Sequence, residues 1–413
     1  MATPAAHIEL DRIDLSDLHL YADGPPWGLF ARLRQAAPVH WNQLPDAPGF
    51  WSLTRHADIR AANLDWETYS SGLGGVFLRE DQVLPWEAAQ LAIINQDPPR
   101  HTKLRDIVQK VFTPRVIRER EAHICELTTE LIDGLIERGE CDFVQDFARN
   151  LPLTVIAEMG GVPAADHQQI IQWTEPMSAF DDPRFSTSLD HRVQALGELS
   201  QYLLALVADR RENPREDLIS HLTRAEVDGE GLSDLEIVIF FAFLMDAGNQ
   251  TTRNTTAGAM LALMEHPEER RKLIEDPSLI GDAVEEFLRW HSAILQMRRT
   301  ATRDVELHGV RIEEGQKVVL WYASGNRDPD VFSEPDRFNV TRSDAGKHQA
   351  FGGGGRHFCL GNQLARLELR VIFEELLRRI PDMELAGPVD RMRSNFFHGI
   401  VGMPVTFTPG KRS

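Results

Sequence analysis

One cysteine of this chain stands in surroundings suited to metal chemistry. Cys359 follows four consecutive glycines, Gly352 to Gly355, and precedes a segment with helical periodicity. Glycine lets a backbone take positive φ angles and pass close to a flat partner, because it has no Cβ atom. At a junction between a loop and a helix, exposed N–H groups and the helix dipole favour a thiolate over a thiol. A thiolate is what a soft axial bond to iron requires.

The glycine run has two other interpretations. A phosphate-binding loop would carry Lys-Ser or Lys-Thr after the glycines, whereas this chain has Arg-His-Phe-Cys. A plain flexible loop with a buried cysteine stays open at this point. Cys125 and Cys141 have no second Cys or His at metal-ligand spacing, so we expect both to be structural. Three cysteines are an odd and sparse set, which suits a reducing compartment and argues against a disulfide framework.

The composition excludes several classes of protein. The 413 residues are 42% hydrophobic and 26% charged, which supports a sizeable core and a solvated surface. A net charge of -19 argues against a protein that wraps nucleic acid, because neutralising phosphates needs clustered Lys and Arg. The longest apolar run, Ile237 to Met245, is too short to cross a bilayer, and the N-terminus lacks the features of a secretory signal. We therefore expect a cytoplasmic protein without membrane insertion.

Helices must position most of the chemically interesting residues, since apolar residues recur at intervals of three and four along much of the chain. Helical periodicity is clearest in four segments, 116–138, 190–213, 235–265 and 361–379. Strand signals are short and lie at 49–53, 305–312, 317–321 and 403–407. The pattern predicts a mainly α fold with small β-sheets. We expect a single domain over residues 1–413, with a β-containing N-terminal part within about 1–75 and a helical core with the cysteine loop over 97–413.

From about Asp97 to its end, the chain resembles the cytochrome P-450 superfamily. The family's cysteine loop is usually Phe-Gly-x-Gly-x-His/Arg-x-Cys-x-Gly, and His357, Cys359 and Gly361 match it. Phe351 lies one residue further from the cysteine than the common pattern places it. The resemblance implies a triangular prism of helices enclosing haem b, with Cys359 as axial ligand of the iron and with Phe351 and Gly361 beside the haem. It also implies a bacterial-type monooxygenase that inserts one oxygen atom from dioxygen into its substrate.

Three charged residues resemble the family's buried network beneath the haem loop. Glu286 and Arg289 are three residues apart, so they share one face of a helix. By themselves they would be read as a common solvated pair. The resemblance adds Arg337, in Glu-Pro-Asp-Arg-Phe, as the third partner and implies that the network is structural.

Four side chains match the donors that bind the haem propionates in the family. His101 and Arg105 are spaced i and i+4, so both leave the same face of a helix. Arg299, in Arg-Thr-Ala, and His357, in the cysteine loop, are the other two. Each alone would be read as a solvated surface charge, but four donors for two carboxylates make a coherent site.

The segment around Thr251 resembles the helix that crosses the distal face of the haem, where the family pattern is Ala-Gly-x-Asp/Glu-Thr. The resemblance implies that Gly248 leaves room for dioxygen or substrate, and that Thr251 hydrogen-bonds the activated oxygen or the water that protonates it. Gln250 replaces the family's acid and cannot relay a proton by ionising. Delivery would then use ordered water or another group. Asp246, one turn earlier, is a candidate substitute, or it binds a polar substrate group or Gln250.

By resemblance, mostly apolar side chains line the substrate chamber, as a lipophilic ligand requires. The residues expected there are Phe243, Leu244, Ala247, Ile294, Leu295, Met297, Phe396 and Phe397. The C-terminal segment resembles most the members that act on sterols, fatty acids and terpenoids. The chain has no flavin motif or iron-sulfur cysteine cluster, so we expect electrons from NAD(P)H through a ferredoxin or flavodoxin and its reductase. The acidic donor would dock on Lys103, Lys110, Arg115, Arg356 and Arg366.

Two rival functions belong to other classes. A non-enzymatic thiolate-haem sensor would not need the Gly248 and Thr251 pair. A peroxide-driven enzyme of the same fold typically carries Arg-Pro where Gln250 and Thr251 stand. The residues therefore disfavour both rivals. We expect the protein to be a monomer.

Overall fold

The structure of the protein, a computed structural model, describes residues 9–44, 47–78, 84–178, 182, 184–185 and 188–413. Internal contacts divide the chain into two compact units. The first unit consists of Met1–Glu80, Gly281–Cys359 and Arg391–Gly399. The second unit consists of Asp81–Ile280, Leu360–Asp390 and Ile400–Ser413. Because these segments alternate along the chain, no single cut separates the units, and the single domain expected over 1–413 stays a prediction.

Helices account for most of the regular structure, as the three- and four-residue periodicity predicts. They are α1 Trp27–Ala36, α2 His56–Leu64, α3 Trp86–Ala89, α4 Arg100–Val108, α5 Pro114–Arg118, α6 Glu121–Asp133, α7 Asn150–Gly160, α8 His167–Ser178, α9 Leu189–Glu212, α10 Leu218–Thr223, α11 Asp234–Glu265, α12 Pro267–Glu275, α13 Ile280–His291, α14 Tyr322–Gly325 and α15 Asn362–Arg379.

Strands are short and gather in small sheets. They are β1 Val39–Asn42, β2 Phe50–Leu53, β3 Tyr69–Ser70, β4 Glu140–Asp142, β5 Glu226–Val227, β6 Glu230–Gly231, β7 Met297–Ala301, β8 Val305–Leu307, β9 Val310–Ile312, β10 Lys317–Leu320, β11 Glu384–Leu385, β12 Asp390–Arg391, β13 Ile400–Gly402 and β14 Pro404–Thr406.

The first unit is built on a five-stranded sheet with the order β1-β2-β10-β7-β3. β10 is buried at all four positions, as suits a strand with neighbours on both edges. It runs parallel to β2 and antiparallel to β7, and its Val318 pairs with Arg299. Apolar side chains, among them Phe30, Phe50 and Trp321, form a closed core in this unit. The sheet thereby holds β7, which carries Arg299, in a defined register.

The second unit is built around α11, a helix of 32 residues. It begins with a capping box, in which the side chains of Ser233 and Glu236 each accept a hydrogen bond from the other's backbone amide. Most of its side chains are buried, because α7, α9 and α15 pack around it. α7 approaches closely at Gly160, where any Cβ would collide with the ring of Phe241. A three-stranded sheet, β11-β14-β4, belongs to the same unit.

Most of the elements predicted from periodicity are present. The segments 190–213, 235–265 and 361–379 are α9, α11 and α15, and the strands expected at 49–53, 317–321 and 403–407 are β2, β10 and β14. Segment 305–312 is the hairpin of β8 and β9. Segment 116–138 is not one helix: α5 ends at Arg118, and α6 ends just before Gly134, a poor helix residue. The mainly α fold with small sheets is confirmed.

Length and hydropathy of the helices bear on membrane insertion. Among the residues that the structure describes, no helix is both long and apolar enough to cross a bilayer. Even α11, with its buried apolar faces, carries Asp246, Arg253 and several amide and hydroxyl side chains along its length. Its sequence therefore suits a buried helix of a folded core.

Candidate active site

The cysteine loop belongs to the first unit. All four residues of its glycine run have positive φ angles, from 63° to 108°. A Cβ on Gly355 would collide with the backbone carbonyl of Asn63 at the end of α2, and one on Gly353 would lie 3.4 Å from the Asn63 side chain. The turn itself and its packing on α2 therefore require glycine. The close protein partner of these two glycines is α2, and the approach of the loop to a flat group stays a prediction.

The backbone of the loop positions Cys359. The Cys359 amide donates to the Phe351 carbonyl at 3.0 Å, which closes the loop although it is one residue longer than the common pattern. Phe351 is buried and packs edge-on against Phe358, with ring centroids 6.2 Å apart. The cysteine is half-buried, and α15 begins three residues later at Asn362. None of the three cysteines forms a disulfide. The predicted place of Cys359, between a loop and a helix, is confirmed.

A fully buried ion pair lies on α13. Glu286 and Arg289 are both 0% exposed, and the guanidinium donates to the two carboxylate oxygens at 2.8 and 2.6 Å. The third partner predicted from the sequence, Arg337, is wrong, because its side chain is 60% exposed and pairs with Glu334. Arg342 takes this place: it is 4% exposed, and its Nε lies 3.2 Å from Glu286.

Arg337 takes part in the network through its backbone only. Its carbonyl accepts from Arg289 at 3.3 Å and from Arg342 at 2.7 Å. The backbone amide of Asn339 donates to Glu286 at 2.9 Å. A buried charge left without partners costs several kcal/mol, so this full set of bonds is what makes the pair tolerable in the interior. Arg337 and Arg342 stand in one turn-rich segment, and the family motif alone does not show which of the two is buried.

β7 carries two adjacent arginines that point to opposite faces of the sheet, as neighbours in a strand do. Arg299, the predicted propionate donor, donates to the Asn63 side chain at 3.1 Å and to the Arg298 carbonyl at 2.7 Å. Arg298 lies instead beside Gly74, where a Cβ would be 2.5 Å from its Nη2. Both arginines are buried. Arg298 is thus a second candidate donor, and the alternation of the strand is the signal that could have found it.

The other predicted propionate donors are divided between the units. His101 and Arg105 lie one turn apart on α4 in the second unit, where His101 is 1% exposed and Arg105 is half-buried. His357 lies half-buried in the cysteine loop of the first unit. A buried imidazole one turn from a guanidinium is suited to bind an anion. That these donors bind one group stays a prediction.

Thr251 lies on the face of α11 that remains partly open. Its hydroxyl donates to the carbonyl of Ala247, one turn earlier, at 2.7 Å. The hydroxyl proton is therefore engaged within the helix, while the lone pairs of the oxygen remain available as acceptors. Such an oxygen can accept a hydrogen bond from a water or from another O–H group, which agrees with its predicted role.

Gly248 lies half-buried on α11, beside α7. A Cβ on Gly248 would lie 3.3 Å from Cγ1 and 3.5 Å from Cβ of Ile156 on α7. The glycine therefore lets α7 pack against α11, and its role in leaving room for dioxygen or substrate stays a prediction. Ala247, which is exposed, is the small residue on the open face.

Gln250 and Asp246 lie on another face of α11. Gln250 is 1% exposed, and its side-chain oxygen has no hydrogen-bond partner among the described residues. Arg253 lies two turns further along the helix than Asp246. Burial lowers the pKa of Arg253 to about 10, and the negative charges of Glu175 and Asp246 oppose this decrease. Asp246 is five residues from Thr251, about 140° around the helix. The charge of Asp246 thus acts on Arg253, and its role as a substitute acid stays a prediction.

One buried acid escaped the sequence reasoning. Glu368 on α15 is 2% exposed, and burial raises its pKa to about 8, although a hydrogen bond from the Thr252 hydroxyl opposes the rise. Its carboxyl is therefore mostly protonated at neutral pH. The neighbours at i−4, i+3 and i+4 are Leu364, Val371 and Ile372, so the periodicity already placed this acid on an apolar face.

Aromatic rings cluster in the first unit among residues expected to line the chamber. The ring of Phe396 lies 5.1 Å from that of Phe77 and 4.8 Å from that of Phe397, between centroids. Ile294 forms an isolated β-bridge with Phe397. Leu295, at 1% exposure, belongs to the closed core of the sheet, so its predicted place in the chamber is wrong.

The remaining expected chamber residues keep some exposure. Met297 is half-buried at the start of β7. In the second unit, Phe243 and Leu244 are half-buried on α11, and Ala247 is exposed. Most other side chains of α11 are buried, so we expect these positions to be the ones that meet a ligand. Their contact with a substrate stays a prediction.

Comparisons with known proteins agree with these local features. A sequence profile for cytochrome P-450 matches residues 53–381. The methyl-branched lipid omega-hydroxylase of Mycobacterium tuberculosis is 40% identical over 418 residues, which cover 98% of this chain and 97% of that protein. Linalool 8-monooxygenase of Pseudomonas putida is 36% identical over 408 residues, which cover 97% of this chain and 100% of that protein.

A solved structure shows the same fold. A Mycobacterium marinum cytochrome P-450 in complex with pseudoionone superposes with a TM-score of 0.90 at 40% identity, covering 98% of this chain and 100% of that chain. The profile thus spans most of this chain, and the relatives span nearly all of it. The chain therefore belongs to the cytochrome P-450 family, the haem-thiolate monooxygenases.

Proposed function

We propose that this monooxygenase hydroxylates an apolar small molecule of the fatty-acid, sterol or terpenoid class. Its electrons come from NAD(P)H through a ferredoxin or flavodoxin and its reductase. The haem supplies the reductive activation of dioxygen and the transfer of one oxygen atom. The side chains of this chain bind and orient the ligands, exclude water and deliver protons.

The residues present fit a haem. Cys359 would bind the haem iron in this proposal, and the hydrogen bond from its amide to the Phe351 carbonyl would hold it in place. The donor set for the propionates consists of cationic and imidazole side chains that are buried or half-buried, as two carboxylates require. Its members are His101, Arg105, His357 and either Arg299 or Arg298. Arg289 of the buried ion pair on α13 also donates to the carbonyls of Asn326 and Pro335, each at 2.9 Å, and thereby fixes the segment that precedes the cysteine loop.

The apolar wall of the first unit carries the substrate proposal. The ring of Phe396 contacts those of Phe77 and Phe397, and Ile294 extends this surface through its β-bridge with Phe397. Such a wall binds a ligand by removing apolar area from water, which stabilises by about 25 cal/mol per Å². The relatives carry names for a methyl-branched lipid and for linalool, and the solved complex holds pseudoionone. These names support a lipid or terpenoid rather than a polar substrate.

Two residues of α11 would handle protons during the reaction. Thr251 offers acceptor lone pairs, since its own proton is donated to the Ala247 carbonyl at 2.7 Å. It can therefore orient a water or another O–H group on the open face. Gln250 can hold a water at its side-chain oxygen but cannot release a proton, because an amide does not ionise in this range. The proton must reach this helix from another acid.

Ligand binding and product analysis test the substrate proposal together. Titration with a branched fatty acid, a sterol and an acyclic terpenoid should displace the iron's water ligand for at least one class, which changes the absorption spectrum. Phe396→Ala should weaken that binding about tenfold or more, since it deletes a large apolar contact. With a surrogate ferredoxin system, the bound compound should be hydroxylated. A spectral response to polar compounds alone, or binding without any product, would overturn the proposal and favour the sensor.

The electron donor is tested at the cysteine loop. Arg356 is exposed there, whereas Lys103 pairs with Asp228 at 2.5 Å and Arg115 pairs with Glu119 at 3.2 Å. Arg356→Glu should therefore slow reduction by an acidic ferredoxin more than Lys103→Glu does. Substrate affinity should not change. A similar loss of reduction rate and of substrate affinity would contradict docking at this residue.

A further inference from the structure

Two histidine rings are stacked in the first unit, next to the apolar wall that Phe396 and Phe397 form. His291 is the last residue of α13, and His398 follows Phe397. The ring centroids are 3.9 Å apart and the ring planes differ by 14°. His291 is 3% exposed, and His398 is half-buried, with the indole of Trp27 edge-on against it at 6.1 Å. Stacking at this distance suits uncharged rings, because two imidazolium ions would repel each other.

Each ring is bound to the backbone of the other histidine. Nε2 of His291 lies 2.8 Å from the carbonyl oxygen of His398, and Nδ1 of His398 is bound to the carbonyl oxygen of His291. A carbonyl oxygen can only accept, so each of these nitrogens carries a hydrogen and donates it. The geometry therefore determines which nitrogen of each neutral ring is protonated. The stack and the two reciprocal bonds together are the histidine clasp.

The histidine clasp joins the two segments that carry the apolar wall. The His398 amide donates to the Ala293 carbonyl at 2.9 Å. The Leu295 amide donates to the Phe396 carbonyl at 2.8 Å, and the β-bridge of the wall lies between these two bonds. A two-stranded pairing this short is marginally stable by itself. The reciprocal bonds of the clasp therefore contribute much of what fixes the wall in place.

The charged groups around the clasp oppose its protonation. Burial lowers the pKa of both rings, and the positive charge of Arg391 on β12 adds to this decrease, although the hydrogen bonds with the two carbonyls oppose it. Arg327 lowers the pKa of His398 further. A Cβ on half-buried Gly24 would lie 3.8 Å from Nε2 of His398 and 3.9 Å from Nη1 of Arg391, so Arg391 approaches the clasp there, while the neighbouring Asp23 is exposed.

We propose that the histidine clasp positions the wall of Phe396 and Phe397, and that protonation of its rings releases this segment and weakens substrate binding. The inference rests on the proposed binding of an apolar substrate and deepens it. His291 and His398 are positioning residues, because they act through the wall and not on the reacting atoms. The enzyme would thereby bind its substrate less tightly in acid.

The sign of the effect follows from the two states of the clasp. A ring in the closed clasp has a lower pKa than an exposed histidine, whose pKa is about 6.5, so acid favours the open state. The stability of the closed clasp is therefore fully present above about pH 7.5 and is lost progressively below about pH 6.5. From about pH 7.5 to about pH 5.5, the ratio of open to closed clasp should rise about tenfold for each imidazole that takes up a proton.

Hydrogen exchange of the holoprotein measures this opening without any substrate. The backbone amides of Leu295 and His398 donate across the pairing. After correction for the intrinsic exchange rate at each pH, their protection should fall about tenfold or more from about pH 7.5 to about pH 5.5. The Trp321 amide donates to the Leu53 carbonyl in the central sheet and reports unfolding of the whole unit, so its protection should stay nearly constant. An equal loss at Trp321, or no loss at the other two amides, would refute the opening of the clasp.

A matched double variant separates protonation from packing. His291→Gln places an amide N–H near the position of Nε2, and His398→Asn places one near the position of Nδ1. Both donors are kept, but neither amide takes up a proton in this pH range. The protection of the two amides should then stay nearly constant with pH. The same loss of protection in the double variant as in the wild type would contradict the role of the two imidazoles.

Substrate titration connects the clasp with the function. The sterol and the acyclic terpenoid carry no ionisable group, so a change of affinity with pH comes from the protein. From about pH 7.5 to about pH 5.5, the apparent Kd of the compound that binds should rise about threefold or more in the wild type, because less of the protein is in the closed state. It should stay nearly constant in the double variant. His221→Gln is the control and should keep the pH dependence of the wild type, because His221 donates to the Ile107 carbonyl in the second unit at 3.2 Å.

Failure of the inference and failure of the proposed function give different results. A wild-type Kd that does not rise in acid, or that rises equally in the double variant, shows that the clasp does not control substrate binding. If neither compound binds at any pH, the proposed function fails instead. Hydrogen exchange of the Leu295 and His398 amides still decides in that case whether acid opens the clasp.

Discussion

Replacing Glu368 by glutamine isolates the cost of ionising a buried acid on α15. The side chain is 2% exposed, and the Thr252 hydroxyl donates to its carboxyl group. Glutamine has nearly the same shape and can accept the same hydrogen bond, but it has no proton to release. The variant therefore changes the electrostatics of the position and leaves its packing in place.

The magnitude follows from the pKa of this group. Burial raises the pKa of Glu368 from its ordinary value of 4.5 to about 8. Between these two values the folded protein keeps a proton that the unfolded chain has released, so stability falls as pH rises and levels off above the folded-state value. At about 1.36 kcal/mol per pKa unit, the full loss is about 5 kcal/mol. About 3 kcal/mol of it falls between roughly pH 6 and pH 9.

Urea unfolding of the holoprotein near pH 6 and pH 9 measures the effect. From pH 6 to pH 9, the free energy of unfolding of the wild type should fall by about 3 kcal/mol more than that of Glu368→Gln. Glu374→Gln, on the same helix, is the control and should not change the pH dependence, because its carboxylate is 38% exposed. A difference between the wild type and Glu368→Gln that stays constant with pH would refute this reasoning.

Three further substitutions probe the network, the loop and the open helix face. Arg342→Met should lower the free energy of unfolding by about 3 kcal/mol, because a buried carboxylate loses a charged partner, whereas exposed Arg337→Met should cost less than about 1 kcal/mol. Equal losses in urea unfolding would contradict the corrected network. Gly355→Ala should lower the thermal midpoint of unfolding, because Gly355 has a φ of 81° and contacts the end of α2. Gly346→Ala is the control and should leave the midpoint unchanged, because Gly346 has open space around it. Similar midpoints for the two variants would show that the cysteine loop accommodates the added methyl group. Thr251→Ala should divert electrons to hydrogen peroxide, measured per NAD(P)H consumed; an unchanged product yield would show that the hydroxyl is dispensable.

The fold was predictable where one physical pattern dominates a segment. α9, α11 and α15 keep apolar residues at three- and four-residue intervals, and the short strands are mostly apolar segments bounded by turns. Segment 116–138 shows the limit of this method. Its periodicity continues across a turn and into Gly134, so only the tertiary structure reveals that α5 and α6 are separate helices.

The site was predictable as a set of residue types but less so as a set of contacts. Glu286 and Arg289 share a helix, and their spacing already determines that they meet. Arg337 and Arg342 reach that pair through a long turn-rich segment, where sequence distance does not determine which guanidinium is buried. Gly248 illustrates the same limit, because only the packing of α7 shows which face of α11 it occupies.

The identity of the iron ligand is the central claim, and the carbon monoxide difference spectrum of the reduced protein tests it most directly. The wild type should show the absorption band of thiolate-ligated haem, and Cys125→Ser and Cys141→Ser should keep it. Cys359→Ser should lose the band, because a serine hydroxyl cannot replace the thiolate. Persistence of the thiolate band in Cys359→Ser, or its loss in one of the other two variants, would contradict the assignment.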